Sequence, residues 1–225
     1  MISLLEVKHF SVSMALVDYI PVIFFAIGAI ILLRDLYNKM GKGAFALFSA
    51  GVIDVAMAGA LKATYKLLYA MGVCDFTKLD AMFFPVQSIG FLLAGLGVIL
   101  MLCNKKGTTK LTSIAAPVML VAASAAAPEV FTGTFVFVGL MVAGLGLLDA
   151  ALCVIAKKLD KPALIALYVF SFICCLGMGY LSSKDFAEAS MNWIAEGVNV
   201  VGQGTFLAGA IALHKNGLAD LSLEK

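Results

Sequence analysis

Residues 80–103 read DAMFFPVQSIGFLLAGLGVILMLC, and Asp80 at the start is the only charge among them. A run of about 20 apolar residues is long enough to cross the hydrocarbon of a bilayer as a helix. In lipid the backbone must satisfy its own hydrogen bonds, which a helix does within one segment. Six further runs of this kind surround it, at 15–34, 43–70, 111–127, 130–156, 162–182 and 189–213. Short breaks with turn residues separate them, at Asn38 to Lys42, Cys74 to Lys78, Asn104 to Thr109, Pro128, Lys157 to Pro162 and Ser182 to Glu188. The chain is 62% hydrophobic and 13% charged over 225 residues, where soluble domains average about a quarter charged. A soluble globule of this length could not hide so much apolar side chain. The pattern predicts an all-α membrane protein of seven transmembrane helices, with 1–225 forming a single transmembrane domain.

Basic residues predict its orientation. Arg34, Lys39 and Lys42 follow the first run, Lys105, Lys106 and Lys110 the third, and Lys157, Lys158 and Lys161 the fifth. Lys215 and Lys225 follow the seventh, whereas Lys8, Lys78 and Lys184 fall on the opposite side. Short loops rich in Lys and Arg stay cytoplasmic. The N-terminus is therefore expected outside and the C-terminus inside, in a multi-pass protein of the cell membrane. Glu6 and the absence of a basic n-region argue against a cleavable signal peptide. The first fourteen residues are mildly amphipathic and suit the membrane surface.

An internal duplication is also suggested. Pro85 to Gly95 and Asn199 to Gly209 align without gaps. In that register Val86, Gly90, Leu93, Ala94 and Gly95 match Val200, Gly204, Leu207, Ala208 and Gly209. A parallel 3+1+3 repeat would comprise 15–103 and 130–213, with 111–127 as the linker helix that restores direction between two odd triplets. The competing reading is that small residues recur wherever membrane helices pack closely.

The last run carries the clearest polar signal. Asn192, Glu196, Asn199 and Gln203 sit at i, i+4, i+7 and i+11 of MNWIAEGVNVVGQGTF, on one stripe of a helix. Lipid solvates neither amides nor carboxylates, so the stripe must face protein or water, and an ionisable group in the membrane points to a site. The second run adds Asp54, Lys62 and Tyr65, and the third adds Gln87 beside Ser88. Lys66 is expected to snorkel outward, and Lys62 either to snorkel or to pair with Glu196 or Asp54. Asp18 reads as a helix N-cap, and Asp149 as a partner of the basic loop at Lys157 and Lys158. Phe83, Phe84 and Trp193 would lie near the mouth of such a site or form an interfacial belt.

These residues suggest a polar cavity between the second, third and seventh helices, open to the outside and suited to a small polar or zwitterionic solute. A transporter is the function expected. The alternative is a seven-helix receptor or sensor, or an accessory subunit whose stripe holds a partner helix. Catalysis has little support. The histidines, His9 and His214, lie at opposite ends, and Cys74, Cys103, Cys153, Cys174 and Cys175 show no metal-ligand spacing. No Ser-His arrangement or phosphate-binding loop occurs, so no cofactor is expected. Retinal binding through the last helix is excluded, because 189–213 contains no Lys. A net charge of +2 gives no reason to expect nucleic acid. The expected partners are the bilayer, a small polar solute and either further copies of the chain or another membrane protein.

Overall fold

A computed structural model describes residues 11–103, 134–181 and 189–223, and every regular element in them is a helix. The run at 111–127 lies outside the described residues. Helix α1 (Val12–Val17) is capped by Ser11, whose Oγ accepts the Met14 N–H at 3.2 Å. It passes at Asp18 into α2 (Tyr19–Leu36), where Pro21 sits in the first turn and its missing N–H costs nothing. Helix α3 (Lys42–Ala70) ends where Gly72 takes a φ of 68°. There Val73 N–H donates to Leu68 O and Gly72 N–H to Tyr69 O, each at 3.0 Å, the double bond that closes a helix through a left-handed residue. The short α4 (Thr77–Ala81) leads into α5 (Phe83–Cys103), followed by α6 (Thr134–Lys158), α7 (Ile165–Leu181) and α8 (Ala189–Lys215).

After α6 the same closure uses Asp160, the one non-glycine residue with positive φ (55°) among those described. Its N–H donates to Lys157 O at 3.1 Å while Lys161 N–H reaches Ala156 O at 3.0 Å. A side chain pays a conformational cost there that glycine avoids. Asp160→Gly is expected to raise stability by about 0.5–1 kcal/mol, measured as a higher unfolding midpoint in detergent.

Five helical segments are long and apolar enough to cross a membrane: Val12–Lys39, Lys42–Ala70, Thr77–Cys103, Val136–Lys158 and Pro162–Leu181. Helix α8 is as long but less apolar, because its stripe interrupts it. That stripe turns inward. Asn192 and Glu196 are buried, while Trp193, Ile194 and Val201 are exposed. Elsewhere the outer surface is equally apolar, as in Ile20, Ile23, Ile27 and Ile30 of α2 and Val169, Phe170, Ile173 and Leu176 of α7. A soluble protein does not present continuous stripes of this kind to water.

The long helices close into a ring in the order α2, α3, α5, α6, α7, α8 and back to α2. Small residues set the spacing. A Cβ on Gly97 of α5 would lie 2.6 Å from Phe48 N of α3, and one on Gly95 2.8 Å from Gly144 O of α6. Successive contacts give direction. Gly97 meets Phe48 and Gly90 meets Asp54, so α3 and α5 are antiparallel. Gly144 meets Leu92 and Gly95 meets Leu148, so α5 and α6 run parallel. Helices α2 and α8 are also parallel, since Gly28 faces Phe206 and Asp35 meets His214.

Two expectations fail here. The identity-based pairing of Gly204 with Gly90 joins unlike environments, because Gly204 faces Phe24 of α2 whereas Gly90 faces α3. Likewise Ala94 is fully buried and Ala208 is exposed. Asp149 is not a surface partner of Lys157 and Lys158. It is buried near Ser171 and Tyr168 of α7, because its helix phase turns it into the ring.

Candidate functional site

Helices α2, α5 and α8 all start at the same end of the ring, and there a cleft opens between them and α3. About 530 Å³ of unfilled space lies within and in front of its open mouth, open solvent included. Asp18, Pro21, Val22 and Phe25 line it from the α1–α2 junction and α2; Val55, Ala56, Gly59, Lys62 and Ala63 from α3. Phe83 and Gln87 come from α5, Met178 from α7, and Glu196, Asn199 and Gln203 from α8.

The charged groups form one network. Lys66 is only 4% exposed and its Nζ lies 2.6 Å from Asp18 Oδ2 and 3.4 Å from Glu196 Oε1. Both carboxylates are themselves buried, at 6% and 7% exposure, and close enough to interact. One ammonium thus ties the α1–α2 junction and α3 to α8. Lys62 lies within electrostatic reach of Lys66, Asp18, Asp80 and Glu196. Its Nζ stands 3.8 Å from the centre of the Phe83 ring and 5.6 Å from that of Phe84, a cation–π arrangement.

Below the cleft the ring is shut. Phe25, Phe91 and Phe206, from α2, α5 and α8, meet with centroids 5.6 Å (Phe25–Phe91) and 5.3 Å (Phe25–Phe206) apart. At the far end His214 Nδ1 lies 2.8 Å from Asp35 Oδ2, and Arg34 Nε donates to Asp35 Oδ1 at 3.0 Å. Lys39 Nζ donates to Ala219 O at 2.7 Å, which holds the turn Leu218–Asp220 against this end. Helices α2 and α8 are thus clamped near both ends. Asp18 and Asp35 are separated by about 25 Å along α2 at the α-helical rise of roughly 1.5 Å per residue.

Of the residues the sequence nominated, Glu196, Asn199, Gln203, Gln87 and Lys62 meet in this cleft. Asn192 is buried one turn from Glu196 but does not line it. Asp54 lies elsewhere, in a second cleft of about 350 Å³ with Met57, Ala58, Leu61, Leu79, Met82, Phe83 and Val86. Tyr65 is buried and its hydroxyl donates to Asp75 Oδ1 at 3.2 Å, outside the cleft. Tyr65→Phe is expected to cost about 1 kcal/mol, visible as a lower unfolding midpoint with the cleft unchanged.

Sequence reasoning missed Asp18 and Lys66. Asp18 has helical φ and ψ (−57°, −23°) and makes no side-chain cap bond, so it is not an N-cap. Lys66 does not snorkel, because two buried carboxylates hold it. The available signal was charge balance. Lys62 and Lys66 lie one turn apart on one helix, and apolar surroundings oblige such cations to find carboxylates. Trp193 is exposed rather than part of the cleft. Among the described residues no three His, Cys, Asp or Glu side chains converge as a metal site would require.

Compared with known proteins, the chain matches no family, no curated protein and no solved structure.

Proposed function

We propose that the chain is a seven-helix transporter of a small polar solute in the cell membrane, with the cleft as its binding site. The observation that carries this reading is the position of the cleft. Buried carboxylates (Asp18, Glu196) and half-buried amide and ammonium groups lie inside an apolar ring where α2, α3 and α5 face α7 and α8. A membrane helix keeps such groups only where they bind something or bind each other. Here some do both.

The ring also has the pattern that two like triplets require. The buried residues Pro21, Phe25, Gly28, Ala29, Leu32, Asp35 and Leu36 of α2 correspond, 116 positions on (Pro21 to Phe137), to Phe137, Met141, Gly144, Leu145, Leu148, Ala151 and Leu152 of α6, all buried. A shift of 112 (Gly90 to Gly202) carries Gly90, Ala94, Gly97, Val98 and Met101 of α5 onto Gly202, Phe206, Gly209, Ala210 and Leu213 of α8, again all buried. A shift of 120 (Phe48 to Tyr168) relates Phe48, Gly51 and Val55 to Tyr168, Ser171 and Cys175. The parallel contact of α5 with α6 mirrors that of α8 with α2. On this reading the apolar run at 111–127 is the linker that restores direction between two parallel triplets. The reading is therefore 3+1+3, in a register two residues from that of the sequence identities.

The end opposite the cleft carries Arg34, Lys39, Lys42, Lys157, Lys158, Lys161 and Lys215, so the cleft faces outward. Transport would exchange this state for one in which the outer mouth closes over the cleft while the Asp35–His214 contact at the far end opens. In a cysteine-depleted background, a cysteine replacing Phe76 is expected to react only from outside and one replacing Lys161 only from inside. The opposite result would reverse the cleft.

The function itself is tested by thermal unfolding of the purified chain against amino acids, amines, vitamins and nucleosides, repeated with Glu196→Gln. A ligand that stabilises the native chain and not the variant, and then accumulates in proteoliposomes, supports transport. Stabilisation without uptake supports a receptor that binds from outside. No ligand at all would count against both.

A further inference from the structure

Several enclosed oxygens beside the cleft lack a hydrogen-bond donor. Glu196 Oε2 and Asp18 Oδ1 are buried without a hydrogen-bond partner, as are Gln87 Oε1 and Gln203 Oε1. An amide side chain can rotate to present its NH₂ instead, so the glutamines constrain the ligand less. Carboxylate oxygens have no such freedom, and buried acceptors left empty cost free energy until a donor arrives.

Charge agrees with this. Among the described residues the network holds two ammoniums, Lys62 and Lys66, against three carboxylates, Asp18, Asp80 and Glu196. Lys66 is held between Asp18 and Glu196, and Lys62 stands over Phe83. Val22, Phe25 and Met178 supply an apolar wall beside the oxygens, and the Phe83 face that carries Lys62 shows how a cation is accommodated there.

From these features we propose that the cleft takes a small organic ammonium ion with an apolar body. Its N–H groups donate to Glu196 Oε2 and Asp18 Oδ1, and its body lies against Val22, Phe25 and Phe83. This rests on the reading of the cleft as a solute site, and deepens it by naming the class of solute.

Three probes of one shape test it: 2-phenylethylamine, 2-phenylethanol and 3-phenylpropionate, each added to the full chain in nanodiscs during thermal unfolding. Only the amine is expected to raise the midpoint. Its half-saturating concentration is expected to increase by about tenfold or more in Glu196→Gln, as loss of a charge-assisted bond implies. Because that variant disturbs the ion network, Phe83→Leu is measured beside it. The Asp18–Lys66–Glu196 contacts do not involve Phe83, and loss of its ring face is expected to weaken the amine about two- to fivefold. Equal stabilisation by the propionate would overturn the proposal, as would no shift from any probe. Sodium or potassium chloride giving the same saturable shift alone would assign the oxygens to an inorganic cation and also overturn it. Proteoliposome uptake separates the two readings. Amine binding without uptake leaves the ligand class standing and removes the transporter, whereas uptake of another solute without amine binding does the reverse.

Discussion

Lys66→Met is expected to destabilise the protein by about 3–5 kcal/mol, the usual cost of leaving a buried partner charge uncompensated. Among the described residues Lys66 is the only cation in direct contact with both Asp18 and Glu196. Without it, two buried carboxylates face each other across the α1–α2 junction and α8. The cost should lie in the orphaned charges rather than in the lost contact, which a compensated variant would reveal. Lys66→Met combined with Asp18→Asn and Glu196→Gln removes every charge of the clamp and is expected to regain most of the lost stability. Denaturant unfolding of the three-residue variant against the single one in the same detergent measures this. If the combined variant is as unstable as Lys66→Met, the clamp holds the fold by shape rather than by charge compensation.

The second large effect concerns the seam between α5 and α6. A Cβ on Gly144 would strike the backbone of α5 at Leu92 N, with Phe91 C at 2.7 Å and Leu92 Cα at 2.9 Å. None of these atoms is the end of a flexible side chain, so relief requires the two helices to separate. Gly144→Leu is expected to abolish a folded monodisperse species, a cost above roughly 4 kcal/mol and so beyond ordinary overpacking. Gly139, on the same helix five residues earlier, meets none of the described residues within 4 Å. Gly139→Leu is expected to change stability by no more than about 0.5 kcal/mol. Size-exclusion profiles of the two variants compare the same substitution on one helix, and similar profiles would mean that α5 and α6 are not in backbone contact.

The polar stripe of α8 was legible because helical periodicity alone decides which residues share a face. Asn192, Glu196, Asn199 and Gln203 repeat at that period, and lipid exclusion says the face turns inward. Periodicity does not say which neighbour a face meets. Asp54 therefore had a correct helix phase but a wrong destination, since the close approach of Gly90 carries it to the second cleft. Asp18 and Lys66 were misread for a related reason. Near helix ends, capping and snorkelling are the cheap local solutions, and a carboxylate from another helix offers a better one only once the chain is folded. The sequence identities of the suggested repeat carry little weight, because shared Gly and Ala reflect close packing in general, whereas burial reflects a particular neighbour.

The chain alone thus determined the long helices of the described residues, because apolar runs of this length satisfy their backbones within one segment. It also determined the inward stripe on α8, because residues one or two helical turns apart cannot choose separate faces. Only the tertiary structure decided that α2 and α8 lie side by side, that Lys66 bridges Asp18 to Glu196, and that Gln87 joins Asn199 and Gln203 in one cleft. Those are meetings of residues far apart in the chain, as with Lys66 and Glu196, 130 positions apart. They depend on how closely glycine lets two helices approach, and a linear pattern of polarity does not record that distance.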